Sequence, residues 1–184
     1  MAHSALIVLA EGFEELEAVT PIDLLRRANI AVTIAGLTTI NVRGARGITI
    51  TADCLFANCA ANSFDALILP GGMPGAKNMA ASIELRAIIQ SFDVAGKLLA
   101  AICAAPIVLA AAGVLKGHRV TSFPGYEDSL GCKEYVTDAV VRDGTVITSR
   151  GAGTSIQFAL EIISYLSGAD AANAVAKAIL FATK

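Results

Sequence analysis

Short apolar runs alternate with helix-like segments along the whole chain, and this alternation is the feature that most constrains its fold. Most of the runs are apolar at every position, as in strands of a parallel sheet that is covered by helices on both faces. The segments between them carry apolar residues at helical spacing. No repeat, linker or low-complexity stretch interrupts the pattern. It predicts one α/β domain over residues 1–184, built on a doubly wound, mostly parallel sheet.

The individual elements follow from the same pattern. The predicted strands are 5–9, 31–35, 66–69, 98–102, 119–122 and 146–148, with a β-hairpin over 42–51. The predicted helices are 14–28, 82–92, 104–112, 154–166 and 173–181. Thr154 and Gln157 have the spacing of a capping box, which predicts that the fourth helix begins there.

Composition and charge exclude several classes of protein. With 55% hydrophobic and 16% charged residues, the chain has too much apolar surface to bury for a disordered protein. Its net charge is −2, with no block of like charges, so we expect neither nucleic acid nor an anionic membrane as a partner.

Two apolar segments resemble membrane or targeting elements. Residues 98–115 carry no charge over a length close to the minimum for a membrane span, but Pro106 and Gly113 interrupt them. A buried strand followed by a buried helix is the favoured interpretation. The apolar stretch 5–10 is short and precedes a cluster of glutamates, unlike a signal or transit peptide. We therefore expect a cytoplasmic protein.

The four cysteines lack the spacing of a metal site or a redox motif. No CxxC and no paired Cys/His spacing is present, so we expect no metal and no cofactor, and free thiols in a reducing compartment. Cys54, Cys59 and Cys132 lie in hairpin or loop segments, where the favoured interpretation is that of small, partly buried apolar side chains.

Cys103 differs because it stands between a buried strand and a helix with Pro106 in its first turn, which resembles a nucleophile elbow. Small neighbours, Ala101 and Ala105, permit the sharp turn. The helix N-terminus is expected to lower the thiol pKa from about 8.5 to within roughly 3.5–7.5 and so to ionise part of the thiol at neutral pH. The alternative is that Cys103 is another small buried side chain.

Loops at the carboxyl ends of parallel strands converge on one edge of a sheet, and acids follow the first strand there. Glu14 and Glu17 are three residues apart and share a helix face. A partly buried carboxyl beside a thiol would have a raised pKa and could carry a proton. The alternative is an acidic cluster in solvent at a helix N-terminus, which is favoured for Glu11 and Glu15 and stays open for Glu17.

Backbone amides and one arginine complete the candidate site. The Gly71-Gly72 turn allows a close approach of its amides, which with that of Ala104 would form an oxyanion hole; an ordinary turn is the alternative. Arg150 could hold an anionic group, although exposure to solvent is the commoner outcome for an arginine.

The two histidines argue against a cysteine peptidase. His3 precedes the first predicted strand and His118 the fifth, so both belong at the amino ends of strands, opposite Cys103. A cysteine nucleophile that cleaves peptides normally needs a histidine base beside it. The arrangement therefore disfavours a peptidase unless another subunit supplies the histidine.

Several segments together resemble the DJ-1-like branch of the ThiJ/PfpI family, in register over essentially the whole chain. They are ALIVLAEGFEELEAVTPIDLLRRANI, VTIAGL, LILPGGMPGAKN, LLAAICAAP and ITSRGAGTS. The resemblance implies a flavodoxin-like fold and a homodimer. It also implies that Cys103 is an oxidation-sensitive nucleophile, that Glu17 is hydrogen-bonded to it, and that Gly72 and Ala104 supply amides. Glu14 is expected to line the pocket, and Asp23, Arg27 and Arg46 to belong to the dimer contact.

The activities that the resemblance implies are of three kinds. The first is a glutathione-independent glyoxalase or deglycase, which acts on methylglyoxal, glyoxal or glycated protein and protects against carbonyl and oxidative stress. The second is a redox-sensing chaperone whose Cys103 is oxidised to sulfinate; the older peptidase label is the third. Phe123 stands where several members carry a histidine, which puts the rate or the substrate range in question.

Overall fold

A computed structural model describes residues 3–182 of the chain. The strands are β1 (Ser4–Leu9), β2 (Ala31–Gly36), β3 (Asn41–Arg43), β4 (Thr49–Thr51), β5 (Cys54–Leu55), β6 (Ala66–Leu69), β7 (Leu98–Ile102), β8 (Arg119–Val120), β9 (Glu134–Tyr135), β10 (Val140–Asp143) and β11 (Val146–Ser149). The helices are α1 (Glu15–Arg27), α2 (Gly75–Ala81), α3 (Ile83–Val94), α4 (Pro106–Ala111), α5 (Ser155–Ser167) and α6 (Ala169–Ala178).

One seven-stranded sheet organises the domain, in the order β10-β11-β7-β6-β1-β2-β5. All neighbours in it pair in parallel except the edge strand β10, which pairs antiparallel with β11. Its five longer parallel strands, taken in chain order, have the spatial order 2-1-3-4-5 that is typical of flavodoxin-like sheets. The predicted doubly wound, mostly parallel α/β domain is confirmed.

Each face of the sheet has its own hydrophobic core. Along β1, Ile7 belongs to the core on the side of α1, α5 and α6, whereas Leu6 and Val8 belong to the core under α2, α3 and α4. Successive side chains of a strand point to opposite faces, so a strand with helices on both sides must be apolar at every position. This explains the continuous apolar runs of the sequence.

Some elements differ from the prediction. The strand expected at 119–122 ends at Val120 and pairs with β9 outside the main sheet. It stops there because the Thr121 amide donates to the Thr148 hydroxyl at 2.9 Å instead of to a neighbouring strand. The last helix begins at Ala169 rather than at residue 173. The pattern also missed α2, β5, β9 and β10.

The capping box predicted at the start of the fourth helix is wrong. The hydroxyl of Thr154 donates to the Gly151 carbonyl at 2.8 Å and lies 2.6 Å from the Ser149 hydroxyl, so it makes no cap bond to an amide of α5. The apolar segment 98–115 divides into β7 and α4, as predicted. Within residues 3–182, no helix is both long enough and apolar enough to cross a membrane.

Candidate active site

Cys103 occupies a strained turn between β7 and α4. Its φ is +64°, in the left-handed region that residues other than glycine rarely adopt. Its amide donates to the Ser149 carbonyl and its carbonyl accepts from the Phe123 amide, both at 2.9 Å. Backbone strain of this kind costs about 1–3 kcal/mol and persists only where the surroundings impose it. The turn has the geometry of a nucleophile elbow and lies near the switch point between β1 and β6, where such sheets bind ligands.

Glu17 lies inside the protein, beside this thiol. Its side chain is 1% exposed, and Oε2 accepts a hydrogen bond from the Gly71 amide at 2.8 Å. The carboxyl group also lies beside the Cys103 thiol. Its other oxygen, Oε1, is buried and makes no hydrogen bond within residues 3–182. Burial raises the pKa of Glu17 to about 7, against the lowering effect of the neighbouring thiol and of the Gly71 amide. Of the two interpretations left open by the sequence, the solvent-facing acid is therefore excluded.

The thiol is less acidic than its place before a helix suggested. Burial raises the pKa of Cys103 to about 12, the Glu17 carboxylate acts in the same direction, and the amides of Ala104 and Gly72 oppose them. The expected partial ionisation at neutral pH is wrong because burial and a neighbouring anion outweigh a helix of only six residues. In the resting pair Cys103 is a thiol, and Glu17 is the group placed to receive its proton.

Two glycines allow the pair to form. A Cβ on Gly71 would lie 2.7 Å from Cys103 Cβ and 2.7 Å from Glu17 Oε2, so only glycine fits between them. Gly72 has a φ of +88°, and a Cβ there would lie 2.4 Å from the Glu14 amide nitrogen. Because Glu17 takes the Gly71 amide, this amide is not free to hold an oxyanion, contrary to expectation. The amides of Gly72 and Ala104 do reach the sulfur.

A cavity of about 400 Å³ opens onto the thiol. Glu14 lies on its wall and also caps α1, with Oε2 accepting from the Glu17 amide at 3.0 Å. Phe123 is 50% exposed and Met73 46%, so the cavity has an apolar rim. Its lining comprises Glu14, Glu17, Ala45, Arg46, Gly72, Met73, Cys103, Ala104, Phe123, Tyr126 and Ala152. A larger cavity of about 530 Å³, against α5 and α6, is lined by neither cysteine nor histidine.

The remaining predicted residues lie elsewhere. Arg150 is not on the cavity wall; one of its terminal guanidinium nitrogens is buried, with no hydrogen-bond partner among residues 3–182. Asp23 and Arg27 form an ion pair at 2.8 Å along the exposed side of α1. Arg46 lines the cavity of its own chain. The predicted role of Asp23, Arg27 and Arg46 in a dimer contact stays a prediction.

Glu15 is a residue whose position the sequence did not reveal. It was expected in solvent, yet it is 6% exposed. Its Oε1 accepts from the amides of Arg46 at 2.7 Å and Ile48 at 3.3 Å, and a Cβ on Gly44 would lie 2.4 Å from that oxygen. Glu15 therefore anchors the loop between β3 and β4 against α1, and this loop carries Arg46 to the cavity. In the sequence, the only sign of this contact is Gly44 in the hairpin, where a larger residue would collide with the Glu15 side chain.

The histidines lie at the amino edge of the sheet. His3 Nδ1 is 3.7 Å from an Asp65 carboxylate oxygen just before β6, and His118 Nδ1 is 3.5 Å from an oxygen of Asp143 at the β10–β11 turn. The predicted separation from Cys103 is confirmed. In the described part of the chain, no group of three His, Cys, Asp or Glu side chains could hold a metal ion.

Sequence comparison agrees with this geometry. Residues 3–165 match the DJ-1/PfpI family. Protein dj-1beta of Drosophila melanogaster is 44% identical over 185 residues, with 99% of each chain covered. The glutathione-independent glyoxalase DJR-1.2 of Caenorhabditis elegans is 36% identical over 182 residues, with 97% of each chain covered.

Solved structures show the same similarity. The crystal structure of Drosophila melanogaster DJ-1beta superposes with a TM-score of 0.95 over 100% of both chains, at 44% identity. An oxidized DJ-1 of Toxoplasma gondii superposes with a TM-score of 0.94 over 99% of this chain and 100% of that one, at 35% identity. A match over most of the sequence, high identity and the same complete fold lead to one conclusion: the chain belongs to the DJ-1/PfpI family.

Proposed function

We propose that this protein is a glutathione-independent glyoxalase, active as a deglycase on early glycation adducts, that protects the cytoplasm against carbonyl and oxidative stress. The observation that carries the proposal is the buried pair of Cys103 and Glu17, which places a nucleophile beside a proton acceptor with a pKa of about 7. A relative at 36% identity bears the name of this activity.

The first step is addition of the thiol to the aldehyde carbon of methylglyoxal or glyoxal. Cys103 Sγ forms the new C–S bond while its proton passes to Glu17, so that thiol ionisation and attack occur together. The Gly72 and Ala104 amides, which reach the sulfur in the resting protein, are near enough to stabilise the developing alkoxide. Glu17 then returns the proton to this oxygen, which gives a hemithioacetal and restores the carboxylate.

The second step moves hydrogen between adjacent carbons. Glu17 removes the proton from the former aldehyde carbon, which forms an enediolate, and delivers it to the neighbouring carbon. The proton of the first hydroxyl passes to the second oxygen, which leaves a thioester on Cys103. One carbon is oxidised as the other is reduced, so the electrons balance within the substrate. Water cleaves the thioester, releases lactate or glycolate and restores the thiol.

Lactate formation from methylglyoxal without glutathione tests the proposal. We expect lactate from wild type and from Cys132→Ser, whose thiol is outside the cavity, and losses of about 10²-fold or more for Cys103→Ser and Glu17→Gln. The same variants assayed on glycated protein show whether the protein is also a deglycase, in addition to acting on free methylglyoxal. Full lactate production by Cys103→Ser would overturn the proposal.

A redox-sensing chaperone is the second candidate, because the groups that stabilise an alkoxide would also stabilise a sulfinate. Two molecules of hydrogen peroxide would convert the Cys103 thiol to sulfinic acid and release two of water, with Glu17 and the Gly72 and Ala104 amides as donors. Peroxide titration with peptide mapping, beside a client-aggregation assay, tests it. Earlier oxidation of Cys54, Cys59 or Cys132 would contradict it. The remote histidines disfavour a peptidase.

We also propose a homodimer. Leu16 and Val19 are 58% and 47% exposed on α1, and Ile48 on the neighbouring hairpin is 57% exposed, so this face offers apolar surface beside the Asp23–Arg27 pair. Light scattering should give twice the chain mass for wild type and a lower mass for Val19→Asp. A monomeric wild type would overturn the dimer. Cell fractionation tests the cytoplasmic location.

A further inference from the structure

Two cysteines outside the candidate active site lie side by side. Cys54 begins the edge strand β5, and Cys59 follows a short 3-10 turn over Phe56–Asn58. The Cys59 amide donates to the Phe56 carbonyl at 3.0 Å, and its carbonyl accepts from the Ala61 amide at 2.8 Å. These bonds fix a reversal of the chain, which places the Cys59 thiol next to that of Cys54.

The surroundings of the pair leave it both ordered and accessible. Cys54 and Cys59 are free and each is partly exposed. Both pack against the hydrophobic core under α2, α3 and α4, so neither side chain projects freely into solvent. Four strand spacings, about 19 Å in total, separate β5 from β7 in the sheet order, so the pair lies apart from Cys103.

We propose that Cys54 and Cys59 form a reversible dithiol–disulfide couple, a redox site separate from Cys103. The sequence alone favours small, partly buried apolar side chains at both positions, because two cysteines five positions apart match no redox motif. Only the turn between the two residues brings the thiols together.

Thiol–disulfide exchange with a small-molecule disulfide supplies the oxidation. The Cys54 thiol loses its proton and attacks one sulfur of the small disulfide, which forms a mixed disulfide and releases one thiol. Cys59 then loses its proton and attacks the Cys54 sulfur, which closes the intramolecular bond and releases the second thiol. The protein loses two protons and two electrons, and the small disulfide gains them.

The order of attack follows from the environment of Cys59. Burial, with Cys54 next to it, raises the pKa of Cys59 to about 11. Because the thiolate is the attacking species, this raised pKa makes Cys59 a poor nucleophile toward an external disulfide and suits it to the resolving step. Its attack becomes intramolecular once Cys54 carries the mixed disulfide.

Peptide mapping tests the couple directly, because trypsin keeps Cys54 and Cys59 in one peptide and separates this peptide from the other two cysteines. Cleavage at Arg46 and Lys77 yields one peptide with both Cys54 and Cys59, whereas Cys103 and Cys132 fall in peptides 98–116 and 120–133. The full-length protein is incubated with oxidised glutathione, blocked with N-ethylmaleimide and digested. We expect peptide 47–77 to lose both maleimide adducts and two hydrogens, and to regain both adducts after dithiothreitol.

Variants identify the roles of the two residues. Cys103→Ser and Cys132→Ser should behave like wild type at peptide 47–77. Cys54→Ser should leave Cys59 largely maleimide-labelled, whereas Cys59→Ser should hold the glutathione mixed disulfide on Cys54. Retention of both maleimide adducts in wild type, or a cross-link between two chains in place of the internal bond, would overturn the proposal. The readout is independent of glyoxalase activity.

Discussion

Glu17 links residue-scale chemistry to the stability of the fold. Its pKa rises from 4.5 to about 7 on folding, so between these values the folded state holds a proton that the unfolded chain has released. The resulting stabilisation is fully present below pH 4.5 and is lost as the pH rises through 7. The difference of roughly two to three pKa units corresponds to about 3 kcal/mol.

The variant Glu17→Gln isolates this effect, since an uncharged amide of the same shape does not titrate. We expect the free energy of unfolding of wild type, relative to this variant, to fall by about 3 kcal/mol between pH 4.5 and pH 8. Urea unfolding followed by circular dichroism at a series of pH values measures it. Parallel curves for the two proteins would show that Glu17 is not titrating in this range.

A second prediction at the residue scale concerns Gly71, whose lack of a side chain leaves the room in which Glu17 and Cys103 meet. In Gly71→Ala the new methyl group must displace Cys103 or Glu17, with a cost of about 1–3 kcal/mol. We expect lactate formation to fall with it. Gly117→Ala is the matched control, because a Cβ there meets nothing within 4 Å. Equal stability and activity of the two variants would contradict this account of the site.

At the scale of elements, the β3–β4 hairpin depends on a carboxylate of α1. Glu15→Ala removes the acceptor of the Arg46 and Ile48 amides. Hydrogen bonds to a charged group contribute about 1.5–3 kcal/mol, so we expect a loss of that size and faster hydrogen exchange at these two amides. Glu84→Ala, at an exposed position, is the control. Unchanged exchange in Glu15→Ala would show that other contacts hold the hairpin.

Prediction at the element scale succeeded where the signal is local. The strands β1, β6 and β7, which cross the middle of the sheet, are almost entirely apolar. The junction after β7 is also visible locally, because Cys103 precedes a helix that begins with Pro106. The strand predicted at 119–122 is wrong beyond Val120, because the Thr121 amide donates to the hydroxyl of Thr148 in β11, which is remote in sequence. Short edge strands such as β5 likewise form through pairing with a strand that is remote in sequence, which for β5 is β2.

At the scale of the whole molecule, the two cores share one sheet and should unfold together. Leu67 and Ile68 are adjacent in β6 and fully buried, but they face opposite cores. Leu67→Ala and Ile68→Ala should each cost about 2–5 kcal/mol and preserve a single transition. Ile83→Ala, at a side chain that is 76% exposed, should change stability by about 0.5 kcal/mol or less. Two separate transitions in urea would show that the cores are independent.

Periodicity and residue chemistry depend on local sequence, and they were enough to determine the α/β class, the positions of the main strands along the chain and the place of Cys103 between a buried strand and a helix. Burial is not local, because it depends on which distant segments cover a side chain. Tertiary structure alone therefore decided that Cys103 rests as a thiol, that the Gly71 amide serves Glu17, and that Glu15 is enclosed by the hairpin. Desolvation and hydrogen bonds between remote segments set these properties, and no spacing in the sequence records them.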